Sequence, residues 1–95
     1  MEHSKPLADL AGAFIIRDEK QVGVWFECPS CPRNDAGGVH MIRVPFHPDE
    51  SRRMGGLACW TKTGTTLEDL SLQPSIRNQG ACNFHGFITQ GKVTW

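Results

Sequence analysis

Two short pairs of soft ligands stand out in this 95-residue sequence: Cys28 and Cys31 in CPSCP, and, well downstream, Cys82 and His85 in ACNFHG. A C-x-x-C turn lets two thiolates converge on one ion without backbone strain, and a second knuckle of the same spacing completes a tetrahedron. Three thiolates and one imidazole are a donor set that suits zinc. Four protein ligands leave no open coordination position, so such a site is expected to be structural, and its binding free energy, about 10 kcal/mol, would act as folding free energy. A chain this short buries only about 60 to 65% of its unfolded surface and gains from a staple of that kind. The sequence therefore predicts one zinc on Cys28, Cys31, Cys82 and His85. A redox dithiol at Cys28 and Cys31 is disfavoured, because the motif follows a strand without opening the helix that thioredoxin-type chemistry uses.

Other reactive side chains are weaker candidates. Cys59 could replace His85 in an all-cysteine site, but beside Trp60 it reads as a small buried thiol. His40, in VHMIR, and His47, in FHPDE, are alternative ligands or bases that read more simply as strand and loop residues, and His3 falls in an N-terminal arm. In the SLQPSI segment Pro74 is expected to end a strand, Ser75 to hydrogen-bond backbone in the next turn, and Ile76 to enter the core. No base stands next to Ser75 in the sequence, so it does not read as a nucleophile. Asp49 and Glu50 are adjacent rather than convergent, which does not suggest an acid/base pair. Trp25, Phe26, Phe84, Phe87 and Trp95 are expected around the core, with Trp95 also available as a contact anchor. Arg43, Arg52, Arg53 and Arg77 are expected in solvent, with room for two of them to form an anion-binding or protein-binding patch.

The elements that would position these groups are short. AFIIRD and VGVWFECP are rich in β-branched and aromatic residues and predict two strands forming a hairpin. After the Gly- and Pro-rich PSCPRNDAGG, the alternation in VHMIRVPF predicts a third strand ending between Pro45 and Pro48. The stretch from His47 to Thr66 is polar and glycine-broken, so a long loop is expected, with one helical turn after Asp49 and a short strand over residues 57–60. Thr66 with Asp69 three residues on is a capping-box pattern, followed by a short strand over residues 70–72. HGFIT and KVTW flank Gln90-Gly91 and predict a closing β-hairpin. No 3.6-residue periodicity is sustained, so little helix is expected. Residues 1–11 are expected to be a flexible arm and residues 12–95 a single domain.

Composition narrows the function classes. Hydrophobic residues are 39% and charged residues 21%, as in ordinary globular domains. Ten basic and ten acidic residues cancel, which argues against nucleic-acid binding by charge. No apolar run approaches the roughly 20 residues that span a bilayer, and the N-terminus lacks a secretory h-region. A cytoplasmic chain is expected, where paired cysteines point to metal rather than disulfides.

Two resemblances add to this. CNFHGFITQGKV resembles the second half of a Rieske iron-sulfur motif, whereas the first half departs from it: position 30 is Ser where a histidine would be needed, and Cys31 lies one residue late. That likeness implies a two-knuckle geometry holding one ion, with iron or an iron-sulfur cluster as the alternative to zinc. Over most of residues 24–95, FECPSC, TLEDLSLQPSI and ACNFHGFITQGKVTW resemble a family of small uncharacterised zinc-binding proteins of phages and bacterial genomes. Some of its members are labelled ammonia monooxygenase, and some sit near ubiquitin-like conjugation genes. The resemblance rests on Cys28, Cys31, Ser71-Leu72, Pro74-Ser75-Ile76, Cys82, His85 and Val93 to Trp95, and it implies a zinc-binding β domain. The fold expected is mainly β, a small zinc-ribbon, rubredoxin-like or Rieske-like domain with long loops. The function expected is that of a phage or prophage accessory protein, zinc-stapled and binding a protein partner. A metal-dependent enzyme or iron-sulfur electron carrier, and a nucleic-acid-binding zinc ribbon, are the alternatives.

Overall fold

A computed structural model of the chain describes residues 3–30, 40–56, 58–77 and 84–95. Within them the architecture is mainly β: nine short strands in three antiparallel sheets and one α-helix of six residues. No helix among the described residues is long and apolar enough to cross a membrane.

Strands β2 (Ala13–Arg17) and β3 (Lys20–Glu27) form the hairpin that the sequence predicts, and β4 (Met41–Pro45) pairs with β3 on the other side. The turn residues Asp18 and Glu19 both have positive φ, the backbone twist that a two-residue hairpin connection needs. Alternation fixes the two faces of this sheet. Val24, Phe26, Ile42 and Val44 point into the core, while Trp25 and Arg43, paired in register, point outward. Helix α1 (Pro48–Arg53) follows, with Pro48 at its start, acidic residues in its first turn and arginines in its last, an arrangement that complements the helix dipole. Buried Glu50 is fixed there by an ion pair with Arg17 of β2.

Strand β5 (Thr61–Thr63) pairs with β6 (Ser71–Gln73), and the loop between them is tied by Asp69. The Asp69 Oδ1 accepts from the backbone N–H groups of Thr66 and Thr65, at 2.8 and 3.1 Å, and from the Thr66 hydroxyl at 2.9 Å. The local pairing of Thr66 with Asp69 is therefore real, but it closes a loop rather than starting a helix.

The third sheet has the order β1-β9-β8-β7, built from Ser4–Pro6, Lys92–Thr94, His85–Thr89 and Ile76–Arg77. The β8-β9 hairpin turns at Gln90-Gly91, both with positive φ. Gly91 is obligatory for a second reason: a Cβ there would lie 2.4 Å from the Leu67 carbonyl oxygen.

Residues 3–11 depart from the flexible arm expected of them. Strand β1 adds to β9, and a 3₁₀ turn over Leu7–Leu10 buries both leucines. Apolar side chains at positions 7 and 10 hold the segment down, and the amide of Leu7 donates to the Gly91 carbonyl at 2.9 Å. His3 and Trp95 exchange two backbone hydrogen bonds of 3.1 Å, and their rings stack with centroids 5.3 Å apart. The core is continuous across all three sheets, running from Leu7 through Val24, Phe26 and Val44 to Leu70, Phe84, Ile88 and Val93.

Candidate active site

The chain leaves β6 at Gln73, passes through a cis Gln73–Pro74 peptide, and presents Ser75 immediately before the two-residue strand β7. Burial of Ile76, the residue after it, anchors the loop, as the sequence predicts. Strand β8 runs antiparallel to β7 with Ile76 opposite Gly86 and Arg77 opposite His85. That register places Ser75 and His85 as diagonal neighbours on the outward face of the sheet, within reach of a ring-bearing side chain. The His85 Nε2 lies 3.0 Å from the Ser75 Oγ.

The surroundings hold this pair in place. The indole Nε1–H of Trp60 donates to the Ser75 carbonyl at 3.2 Å, fixing the backbone that carries the hydroxyl. Buried Phe84, directly before His85, packs edge-to-face on Phe26 with centroids 6.0 Å apart, so the start of β8 is anchored in the core. Gly86 permits the tight approach of β9: a Cβ there would sit 2.5 Å from the Thr94 carbonyl oxygen and 2.7 Å from Phe84 Cζ. The alternating exposure of β8 turns His85, Phe87 and Thr89 outward. The Phe87 ring lies 6.2 Å from that of His85 and offers an apolar platform beside it. Among the described residues His85 has no carboxylate partner, and the contact it makes is with Ser75.

A pair of this kind has a defined chemistry. With the imidazole protonated at Nδ1, the Ser75 O–H donates to Nε2, which can take the proton as the oxygen attacks an electrophilic carbon. Two surface depressions flank Ser75. One, about 660 Å³, is lined by Gln73, Pro74, Ser75, Phe87 and Thr89; the other, about 470 Å³, by Trp60, Ile76, Arg77 and residues of β4 and α1.

Residues 2–95 match the family model described as bacterial ubiquitination-like system serine protease (BubE). The chain belongs to this family. No curated protein and no solved structure matches it. The BubE match overturns the expectation of a phage or prophage accessory module whose only chemistry is a structural zinc site, and with it the electron-carrier and zinc-ribbon alternatives. A family of serine proteases calls for an activated serine, and among the described residues Ser75 is in contact with a histidine, His85.

Of the four residues expected to bind zinc, two fall among the described residues. Cys28 is buried just after β3, its amide donating to the His40 carbonyl at 2.8 Å, and His85 faces Ser75 on the surface. Cys31 and Cys82 lie outside the described residues. Among the described residues no group of three His, Cys, Asp or Glu side chains could hold a metal ion. Cys59, expected in the core, is exposed along with Ala58, and the strand forms at Thr61–Thr63. Trp25 and Phe87, also expected inside, are each 39% exposed, because strand alternation places them on outward faces. Phe26 and Phe84 are buried as expected, and Arg43, Arg52, Arg53 and Arg77 are all exposed. His47 is exposed at the start of α1, where its carbonyl accepts from the Ser51 amide at 3.0 Å.

Sequence reasoning does not pair Ser75 with His85, because no base stands beside the serine along the chain. The imidazole is ten positions away and arrives only through the β7-β8 pairing. The usable signal is the β8-β9 hairpin: once His85 is read as the first residue of its strand, an antiparallel partner starting just after Ser75 places the two side chains together.

Proposed function

We propose that this chain is a serine hydrolase that cleaves an acyl bond in a protein, with Ser75 as nucleophile and His85 as general base and then general acid. The observation that carries this is the 3.0 Å contact between His85 Nε2 and Ser75 Oγ on a rigid sheet face, in a chain of a serine protease family.

The reaction follows from the atoms. As His85 Nε2 removes the hydroxyl proton, Ser75 Oγ bonds to the carbonyl carbon and the carbonyl π electrons move to oxygen. Collapse of the adduct breaks the bond to the leaving nitrogen, which takes the proton from the His85 imidazolium. Water then attacks the Ser75 ester, giving up a proton to His85, and the acid product leaves with Ser75 restored. The Trp60 hydrogen bond and the Phe84 anchor keep the two side chains in register at no further ordering cost during reaction, which is what positioning contributes to rate. The family description speaks of a bacterial ubiquitination-like system, and we read the substrate as a protein component of a system of that kind.

The direct test is covalent labelling of the purified full-length chain with a fluorophosphonate probe, followed by peptide mapping. Modification is expected on Ser75, absent in Ser75→Ala and slowed at least about a hundredfold in His85→Ala, the lower end of what a general base contributes. Labelling of another residue, or labelling unaffected by loss of His85, would overturn the assignment.

A further inference from the structure

We propose that the groove running from the Ser75–His85 pair past Arg77 to Trp25 and Arg43 docks an acidic, apolar-flanked, extended segment of the substrate protein. This rests on the reading of Ser75 and His85 as a hydrolytic pair and adds to it the chemistry of what is recognised.

The groove begins beside the site, at the residues that follow Ser75. Arg77 stands directly opposite His85 in the β7-β8 register and lines the 470 Å³ depression next to Ser75. That depression continues into a second one of about 420 Å³, the two sharing Arg43 and Met54, and the second is walled by Trp25, Ile16 and Arg53. Together they lead from the β4 edge, beside Trp60 and Arg77, to the outward face of the β2-β3-β4 sheet, where Trp25 and Arg43 are cross-strand partners.

Charge selects the occupant. The whole chain is neutral, yet four arginines line these two depressions, at positions 17, 43, 53 and 77, against a single carboxylate, Glu50, which is already bound to Arg17. Among the described residues the lining thus has an excess of three positive charges on a molecule with none overall. Arg43 and Arg77 have no carboxylate partner among the described residues, and a guanidinium fork takes a carboxylate as a bidentate pair. Beside them are a tryptophan 39% exposed and an isoleucine 55% exposed, apolar surface next to arginine, the pairing that anchors protein interfaces. A segment alternating acidic and apolar side chains satisfies both features, and an extended backbone keeps it within the groove as far as Ser75.

The test uses full-length Ser75→Ala protein, which binds without turnover, and a fluorescein-labelled twelve-residue peptide alternating Glu and Leu. Controls are the same peptide with Lys for Glu and a twelve-residue thymidine oligonucleotide. Tenfold or tighter binding of the acidic peptide over the lysine peptide, weakening as salt rises, with a shift in Trp25 emission that Trp25→Phe removes, is expected. Arg43→Glu should erase or invert the preference, and Arg43→Ala repeats the measurement if charge reversal disturbs folding. Equal binding of the two peptides, or a preference that survives both Arg43 variants, overturns the proposal. Stronger binding of the oligonucleotide at the same site assigns the groove to nucleic acid and also overturns it. Fluorophosphonate labelling of wild-type protein is read separately. Labelled Ser75 with no acidic preference sinks the docking groove alone, whereas acidic preference without labelling sinks the hydrolytic reading alone.

Discussion

Removing either member of the Ser75–His85 pair should abolish turnover and leave the fold intact, and the two effects have separate magnitudes. On the stability side, either substitution deletes one hydrogen bond of 3.0 Å between exposed or half-exposed groups. A hydrogen bond nets about 0.5 to 1 kcal/mol at such a position. Unfolding entropy near 2 cal/mol/K per residue gives a chain of this length about 0.2 kcal/mol/K, so the melting temperature should fall by only about 2 to 5 °C. On the catalytic side, a positioned general base contributes about 10²- to 10⁴-fold, and His85→Ala should lower kcat by that factor. Ser75→Ala should lose at least as much. Because proton transfer and attack are one event, the double variant should be no slower than the worse single variant. The assay is burst and steady-state hydrolysis of an activated ester, with thermal melts on the same preparations. Rate losses that multiply in the double variant would show two independent side chains rather than a dyad. Unfolding of His85→Ala would mean that the histidine serves structure instead.

Further outcomes follow from neighbouring residues. Gly86→Ala forces a Cβ against the Thr94 carbonyl and the Phe84 ring; it should cost about 1 to 3 kcal/mol and move His85 off Ser75, so activity should fall in protein that still gives a folded circular-dichroism spectrum. Trp60→Phe keeps the apolar plane but deletes the donor to the Ser75 carbonyl, and should lower kcat more than it raises KM, checked by steady-state kinetics. Leu7→Ala empties a fully buried position and should cost about 2 to 5 kcal/mol, read as a lower urea midpoint; an unchanged midpoint would restore the picture of a loose N-terminal arm. The Asp69 carboxylate is held below its ordinary range by the Thr66 backbone N–H, the Thr66 hydroxyl and the Thr65 N–H. Its stabilisation is therefore present above the ordinary aspartate value, about 4, and is lost as pH falls through the lowered folded value, so Asp69→Asn should flatten that part of the stability profile in acid melts.

How far the sequence alone reaches depends on the range of the interaction. The β2-β3 hairpin, β4, the helical turn after Asp49 and the closing hairpin are all written locally, in alternation and in turn residues such as Gln90-Gly91. Local pattern fails where a pairing partner is distant. Nothing within Ser4–Pro6 announces a strand; it becomes one because β9 offers an open edge and Leu7 and Leu10 have a core to fill. The candidate active site is hidden for the same reason. Cys82 and His85 attract attention as a spaced pair in one segment, while Ser75 and His85 meet only across a two-rung ladder. Spacing along the chain singles out the histidine; the ladder alone supplies its serine.

The mutual hydrogen bonding of His3 and Trp95 has a topological consequence. Since these two residues already meet just beyond the ends of the paired strands β1 and β9, the order in which the chain visits its elements is not what holds the sheet together. A circular permutant that joins Trp95 to His3 through a few glycines and opens the exposed Gly55-Gly56 link would keep every rung of β1, β9, β8 and β7. The serine and its histidine would then lie in the N-terminal half of the new chain, with their geometry unchanged.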